Sequence, residues 1–284
     1  MNKKMAAALI AGVVASGALL GVSPVAAKST TEPPPTCYPN CQGVTLTEGN
    51  YQGAQMPNAN FSDASLTAVN MNNATLTGAN FEGARLKQVW FKEANLSYAN
   101  FQGMKIVLTK RESTFNHANV YGANFANSTI RGWFEYANAE QASFAGVNAL
   151  GVWFNGTAFD NTDLSGAYLV STQWKRADLR SANLTGANLS SGDTKTTMLR
   201  AFLSGANLTN ANLTGANLKR TNFQDANLTG ANLTDAYIKK ANFTGANLTN
   251  ANLTGATHAN KAKFAGAKFN NTTCPDGTVT NTGC

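Results

Sequence analysis

The side chains that most often perform catalysis or bind metals are scarce and scattered in this sequence of 284 residues. His117 and His258 are the two histidines, and Asp160 and Asp163 are the closest approach to a carboxylate pair. General acid–base catalysis and zinc binding both need several such groups to converge. We also find no Gly-rich phosphate-binding loop and no zinc-ligand spacing. The sequence therefore predicts a protein that is not an enzyme and that carries no metal and no cofactor.

Four cysteines lie near the two ends of the sequence, at Cys37, Cys41, Cys274 and Cys284. In an exported chain they are expected to form two disulfides, for which three pairings exist. A redox-active Cys37-X3-Cys41 pair is the alternative to a structural role.

The N-terminus is typical of a secretory signal peptide. Lys3 and Lys4 precede a weakly apolar run over residues 5–22, and small residues lead up to Ala27. This pattern predicts cleavage after Ala27, with an uncleaved membrane anchor as the alternative. We therefore expect no membrane span after cleavage, and a Pro-rich spacer over residues 28–36.

The charge balance is basic but diffuse. Lys and Arg total 22 against 15 Asp and Glu, which gives a net charge of +7, and loss of Lys3 and Lys4 with the signal peptide would leave +5. This balance argues against an acidic mimic of nucleic acid, and it is too diffuse to indicate a nucleic-acid binder.

Large apolar residues recur every five positions through most of the chain. In the clearest stretch they are Leu203, Leu208, Leu213, Leu218, Phe223, Leu228, Leu233, Ile238, Phe243, Leu248 and Leu253, each usually preceded by Ala two positions earlier. The same spacing occurs over residues 61–106, 115–130 and 134–189. A period of five fits neither an α-helix nor a flat strand. The chain must therefore turn once per pentad, with the central residue and its Ala facing one interior.

These tandem pentads, of which Ala206-Asn207-Leu208-Thr209-Asn210 is a clean example, resemble the pentapeptide repeat proteins over residues 44–274. The resemblance implies an all-β, right-handed quadrilateral parallel β-helix, in which four pentads form one coil. About eleven coils are expected, in a rod ~50 Å long at the usual spacing of neighbouring strands.

This resemblance also implies the arrangement of the two ends. Ends ~50 Å apart cannot share a disulfide, so the implied pairs are Cys37–Cys41 and Cys274–Cys284. Cys274 lies five residues after Phe269 and should fill a central position of the last coil. The expected organisation is a signal peptide over 1–27, a spacer and disulfide-bonded N-terminal cap over 28–43, the β-helix over 44–274, and a disulfide-closed cap over 275–284.

The five-residue frame slips in four places, at 107–114, around 128–133, at 190–197 and at 259–262. Loops that interrupt a regular scaffold often carry the specific function. Tolerated surface insertions are the alternative.

Residues twenty positions apart should lie above one another, which predicts a basic ridge along the outside. Its predicted members are Arg200, Lys219, Arg220, Lys239 and Lys240. Arg180 would join them if the slip at 190–197 costs one residue, and Asp225 and Asp235 on neighbouring faces would offset part of the charge. The ridge could face a phosphate, an acidic polysaccharide or lipid headgroups, or it could be an ordinary solvated surface.

Two tryptophans are also expected on the outside. Trp133 and Trp153 lie twenty positions apart, and each precedes a core Phe, so they should point outward and stack, with Tyr136 nearby. Exposed aromatic side chains bind sugar rings or partner proteins, or they simply stiffen the sheet. Trp174, in contrast, takes a central position and is expected in the core.

Regular Thr columns are a further exposed feature. Thr209, Thr229 and Thr249 recur at twenty-residue spacing and could order water on a flat face, which would indicate ice binding.

We therefore expect an exported, non-catalytic scaffold or protein-interaction rod in the periplasm, in the thylakoid lumen if the source is a cyanobacterium, or outside the cell. The alternative is a module that binds a carbohydrate or an anion. The resembled family also includes cytoplasmic DNA mimics that protect gyrase. The signal peptide, the basic charge and the cysteines depart from that pattern, so a nucleic-acid-related role is not expected.

Overall fold

A computed structural model describes residues 32–107, 109 and 112–284. The predicted signal peptide and residues 28–31 of the predicted spacer lie outside the described residues. Lys110 and Arg111, in the first frame slip, also lie outside them.

Most pentads end in a tight turn, as the period of five predicts. In the pentad of Leu208, the Ala211 amide donates to the Leu208 carbonyl oxygen at 3.0 Å, and Asn210 between them has a φ of 57°. A turn with a positive φ at its third residue is of the type II class. Leu208 and Ala211 are fully buried, so the turn directs the central Leu and the Ala of the next pentad into the interior.

Successive coils pair in parallel. Strands β1 (Thr45–Thr47), β2 (Ser65–Thr67), β3 (Arg85–Lys87) and β4 (Lys105–Ile106) form a four-stranded parallel sheet in the order β1-β2-β3-β4. Elsewhere the pairing is by single parallel bridges, such as Asn207 with Asn227. Partners twenty residues apart mean that four pentads complete one coil, so the fold is a four-sided parallel β-helix. The expected number of about eleven coils stays a prediction.

The structure contains little helix. Within the described ranges, the one helical segment is a 3-10 turn over Ala259–Lys261. None of the helices there is long and apolar enough to cross a bilayer.

The core is a set of side-chain columns. In one column, Phe61, Phe81, Phe101, Phe125 and Phe144 stack with ring centroids 4.6 to 5.0 Å apart. Later coils carry Leu in this column. Trp174 is buried, as predicted, and its indole N–H donates to the Thr172 hydroxyl at 2.7 Å. Among the described residues, every buried side-chain nitrogen or oxygen has a hydrogen-bond partner.

The frame slips are visible as changes in the ladder. Most bridges join residues twenty apart, but Trp90 pairs with Thr114 and Gln173 with Thr197, which shows four extra residues at each place. Thr114 pairs with Trp133, one residue short, and Asn242 pairs with Lys263, one residue long. The β-helix absorbs each change within one coil, and the parallel bridges continue beyond it.

Disulfides close both ends in the implied pairing, Cys37 with Cys41 and Cys274 with Cys284. Cys274 is 4% exposed and continues a core column, as expected. Strand β5 (Thr272–Thr273) pairs antiparallel with β6 (Val279–Thr280), so a hairpin covers the last coil. Cys41 is 1% exposed and begins another column, a role that the sequence analysis missed.

One residue on the five-residue spacing does not face the core. His258 falls on the five-residue spacing, but it is exposed, with a φ of 64°, and contacts the edge of Tyr237. The 3-10 turn starts directly after it and diverts the backbone, so the repeat is interrupted before His258 can point inward.

Candidate binding surface

Basic side chains occupy one corner of the rod over four consecutive coils. The backbone amide of Arg176 donates to the carbonyl oxygen of Leu199 in the next coil. In the same way, the Arg200 amide donates to the Lys219 carbonyl oxygen and the Arg220 amide to the Lys239 carbonyl oxygen, each at 3.1 Å. These bonds place the third turn residue of each coil beside the third turn residue of the next coil. Arg176, Arg200, Arg220 and Lys240 therefore form one column, and all four are exposed.

Lysines at the second turn position widen this column. We call the whole set the basic corner, and its members are Lys175, Arg176, Arg200, Lys219, Arg220, Lys239 and Lys240. Leu199 interrupts the lysines in one coil. The five residues predicted from the sequence are all in the set, while Lys175 and Arg176 were missed.

The prediction for Arg180 is wrong. The slip at 190–197 adds four residues instead of removing one, so the residue above Arg200 is Arg176. Arg180 lies on the next corner and forms an ion pair with Asp178, in which Nε donates to Oδ1 at 2.8 Å and Nη2 donates to Oδ2 at 2.6 Å. The hydrogen bond to Asp178, followed by the charge of that carboxylate, raises the pKa of the Arg180 guanidinium.

The basic corner keeps its charge unpaired. In the described part of the chain, the ion pairs are Lys92 with Glu93 and Arg180 with Asp178, neither of which involves the basic corner. Asp225 and Asp235 were expected to offset the ridge. Asp225 lies one pentad after Arg220 and Asp235 lies one pentad before Lys240, and neither makes an ion pair with the basic corner. Like charges about 5 Å apart repel one another. The corner is therefore a surface on which an external anion would be stabilised.

Trp133 and Trp153 lie on the face that leads into the same corner. They are bridge partners in the parallel ladder, and they are 39% and 47% exposed. Both thus point outward, as predicted. Within the described residues, the two indole rings make no ring contact with each other, so the expected stack is not formed.

Tyr136 belongs to the corner column itself. Its amide donates to the Asn155 carbonyl oxygen, and the Gly156 amide donates to that of Lys175, both at 3.0 Å. The column of third turn residues thus runs from Tyr136 through Gly156 to Arg176. Tyr136 is 61% exposed and stacks on His117, with ring centroids 5.2 Å apart.

A shallow recess of about 190 Å³ joins the aromatic and basic parts of the corner. It is lined by Glu135, Tyr136, Asn155, Gly156, Lys175 and Arg176. A Cβ on Gly156 would lie 2.6 Å from the Tyr136 ring, so the glycine leaves room for that ring against the backbone. Asn155 donates to Glu135 at 2.9 Å and accepts from the Lys175 amide at 2.8 Å. These bonds fix the polar floor between the two sets of side chains.

The structure therefore unites two features that the sequence presented separately. Trp133, Trp153 and Tyr136 precede the basic corner directly along the rod axis. We call the combined surface, from Trp133 to Lys240, the corner strip. It crosses six coils, so it is roughly 25 Å long at the usual strand spacing.

The Thr columns do not offer free hydroxyl donors. The hydroxyls of Thr209, Thr229 and Thr249 donate to the Asn side-chain oxygen two residues earlier, at 2.6 to 2.8 Å. The Asn-X-Thr pattern is thus explained by bonds within each turn, which leaves these donors unavailable for ordering water.

The carboxylates and histidines do not converge. The Asp163 Oδ1 atom accepts hydrogen bonds from Ser165 and Asn183, both at 3.0 Å, and Asp160 accepts one from Asn161 at 2.9 Å. Within the ranges that the structure covers, no three residues of the types His, Cys, Asp and Glu are placed to hold a metal ion. Asp160 and Asp163 thus accept hydrogen bonds from neighbouring residues within their own coil or the next one.

Two family models match the chain. The model described as a pentapeptide repeat region matches residues 44–125, and the model for pentapeptide repeats (8 copies) matches residues 158–193, 194–225 and 231–273. No curated protein matched the chain.

Solved structures of similar proteins were also found. HetL, a pentapeptide repeat protein involved in heterocyst differentiation regulation from the cyanobacterium Nostoc sp. strain PCC 7120, is 26% identical, with a TM-score of 0.41. The match covers 83% of this chain and 93% of HetL. A pentapeptide repeat protein from the Arabidopsis thaliana thylakoid lumen is 31% identical, with a TM-score of 0.33, over 36% of this chain and 68% of the other.

QnrB1, a plasmid-mediated fluoroquinolone resistance protein, is 17% identical in a trypsin-treated form, with a TM-score of 0.26, over 79% of this chain and 89% of QnrB1. The family models match more than half of the sequence, and they match the same tandem pentads that form the coils. The chain belongs to the pentapeptide repeat family.

Proposed function

We propose that this protein is an exported, non-catalytic rod that binds a partner through the corner strip. The single observation that carries the proposal is the column of unpaired cations over four consecutive coils, continuous with exposed aromatic side chains. A solvated surface gains nothing from stacking like charges, whereas a binding surface gains affinity and orientation from them. A rigid β-helix keeps such a strip in place without an ordering step.

Export is the second part of the proposal. It is supported by the signal-like N-terminus and by the two cystine caps, since disulfides persist in oxidising compartments. Either the periplasm or a thylakoid lumen fits this chemistry, as does secretion. N-terminal sequencing of the protein recovered from its source cells tests this part: Lys28 is expected as the first residue. An intact Met1, or recovery from the cytoplasm, would contradict export.

Site-specific photo-cross-linking in the source cells tests the binding surface. A photoreactive residue at Arg220 should give a cross-linked product. The same residue at Asn210, which has the equivalent turn position on the opposite corner, should give little or none. Equal products at the two positions would contradict the corner strip as the contact surface.

A module for carbohydrates or anions is the second candidate function. It is favoured by the recess between Tyr136 and Arg176, where an aromatic face and two cations border one polar floor. Sugar binding uses aromatic faces together with a few fixed polar groups. This candidate differs from the first in the class of its ligand and uses the same strip.

A further inference from the structure

We propose that the corner strip binds a linear acidic polysaccharide, one that carries carboxylates, laid along the rod axis. This inference rests on the second function proposed above and names its ligand class, its binding direction and two additional residues, Lys175 and Arg176. It is carried by the shape of the charged surface, by what flanks that surface and by the position of the aromatic rings.

The shape of the cationic surface favours a linear polymer. Its charges recur once per coil along a single edge, so they follow a line parallel to the rod axis. A chain with one carboxylate on each sugar could meet successive cations at Arg176, Arg200 and Arg220 as it runs along that edge. Arg forms planar, paired hydrogen bonds with carboxylates, which suits this ligand.

The neighbouring corner limits the width of the cationic surface. It carries Glu140, Asp160 and Asp225 in its turns, and Arg180 on the same corner is paired with Asp178 on the face between the two corners. The corner on the other side carries charges of both signs among uncharged turn residues: Arg131, Asp193, Lys195 and Asp235. A flat bilayer of anionic headgroups would bring its charges close to these carboxylates, whereas a thin chain on the edge would avoid them. The flanking acids therefore favour a single polymer chain over a membrane surface.

Aromatic rings at one end of the strip add contacts for a sugar. Tyr136 is held against Gly156 and His117, and the indoles of Trp133 and Trp153 are exposed on the adjoining face. Pyranose rings present apolar C–H faces that pack on such side chains. Because the recess lies between Tyr136 and Arg176, one sugar could contact the exposed part of the tyrosine ring while the carboxylate of the next sugar meets Lys175 or Arg176.

The experiment measures binding of the purified protein to polygalacturonate and to its fully methyl-esterified form, which has the same rings without the charge. We expect the acidic polymer to bind at least about tenfold more tightly, with an affinity that falls as salt rises towards ~0.5 M. Equal affinity for the two polymers would overturn the proposal.

A charge-reversed variant locates the site. Arg176→Glu/Arg200→Glu/Arg220→Glu should weaken binding at least about tenfold. The matched control, Arg85→Glu/Lys87→Glu/Lys105→Glu, changes the net charge equally on another side and should weaken it less than about threefold. Glu already occupies the same kind of turn position at Glu93, where φ is 59°, so the variant should fold. If thermal unfolding shows that it does not, the corresponding Arg→Gln variant gives the same comparison. Equal losses in the two triple variants would overturn the proposal.

The aromatic end and the competing polymers complete the test. Trp153→Ala should weaken binding of polygalacturonate about two- to tenfold, and an unchanged affinity would contradict the aromatic contact. Tighter binding to single-stranded DNA, or to vesicles of anionic phospholipid, would overturn the choice of ligand class. A protein cross-linked at Arg220, with no binding to polygalacturonate, would overturn this inference and leave the interaction rod standing.

Discussion

Replacing Phe101 with leucine tests whether contacts between aromatic rings hold the first half of the rod together. Phe101 is fully buried and stacks between Phe81 and Phe125, with centroid distances of 4.8 and 4.6 Å. It also meets Phe91 and Phe115 edge-on, at 6.2 and 5.7 Å. Leucine keeps the site apolar and removes the ring.

The expected loss follows from these contacts. An aromatic pair contributes about 0.5–1.5 kcal/mol beyond area burial, and pairs that share a ring are not additive. We therefore expect Phe101→Leu to lower the free energy of unfolding by about 2–4 kcal/mol, including the small cavity. In a repeat protein, weakening one internal coil also uncouples the coils on either side. Unfolding should thus broaden or separate into two steps.

Phe223→Leu is the matched control. Phe223 is equally buried but stacks on Phe243 alone, at 5.0 Å, so the same substitution should cost about 1–2 kcal/mol. Urea unfolding followed by circular dichroism and by intrinsic fluorescence measures both variants. Equal losses, with a single transition in each, would refute the reasoning, because transfer and cavity terms would then account for the whole effect.

Four further substitutions test the turns and the C-terminal cap. Gly132→Ala should destabilise the protein by more than about 3 kcal/mol in urea unfolding, since φ is 95° and the added Cβ would collide with the Ser113 carbonyl oxygen. Its control, Gly205→Ala, has a φ of 68° and no close contact, so it should cost about 1–2 kcal/mol. Cys284→Ser opens the ten-residue C-terminal loop and should lower the free energy of unfolding by about 3 kcal/mol relative to the oxidised protein, by the loop-entropy model. Reducing the unaltered protein should cause a similar loss if this bond dominates. Hydrogen bonds from Thr278 hold the pKa of Asp276 below its ordinary range. The carboxylate therefore stabilises the cap at neutral pH and loses that effect as the pH falls through the lowered pKa. Asp276→Asn should flatten the acid side of a plot of melting temperature against pH.

The fold could be predicted because its signal is repeated. A spacing of five residues excludes the ordinary periods, and its dozens of copies indicate which side chains face inward. Cys274 was placed correctly from the same spacing. Cys41 lies five residues before Leu46 and could have been found by extending the spacing backwards.

The candidate surface was harder to predict, because the outside of a coil depends on the size of each insertion. Arg180 was assigned to the basic ridge on the assumption that one residue was lost at 190–197. Recognising Met198 as a core residue, nine positions after Leu189, would have given the four-residue insertion and hence Arg176. His258 shows the converse failure, in which the spacing persists but a 3-10 turn diverts the backbone. The backbone path at an interruption depends on local bonds that a period cannot reveal.

The twenty-residue coil also has a consequence for how such a surface could change over generations. Each coil is a complete layer that pairs only with the layers next to it, and the disulfide-bonded ends do not depend on how many layers lie between them. Deleting residues 206–225 would remove one layer and bring Arg200 directly next to Lys240, with every column still continuous. Duplication or loss of sixty nucleotides could therefore lengthen or shorten the corner strip by one coil. Point mutations in the turns would instead change single side chains of the strip.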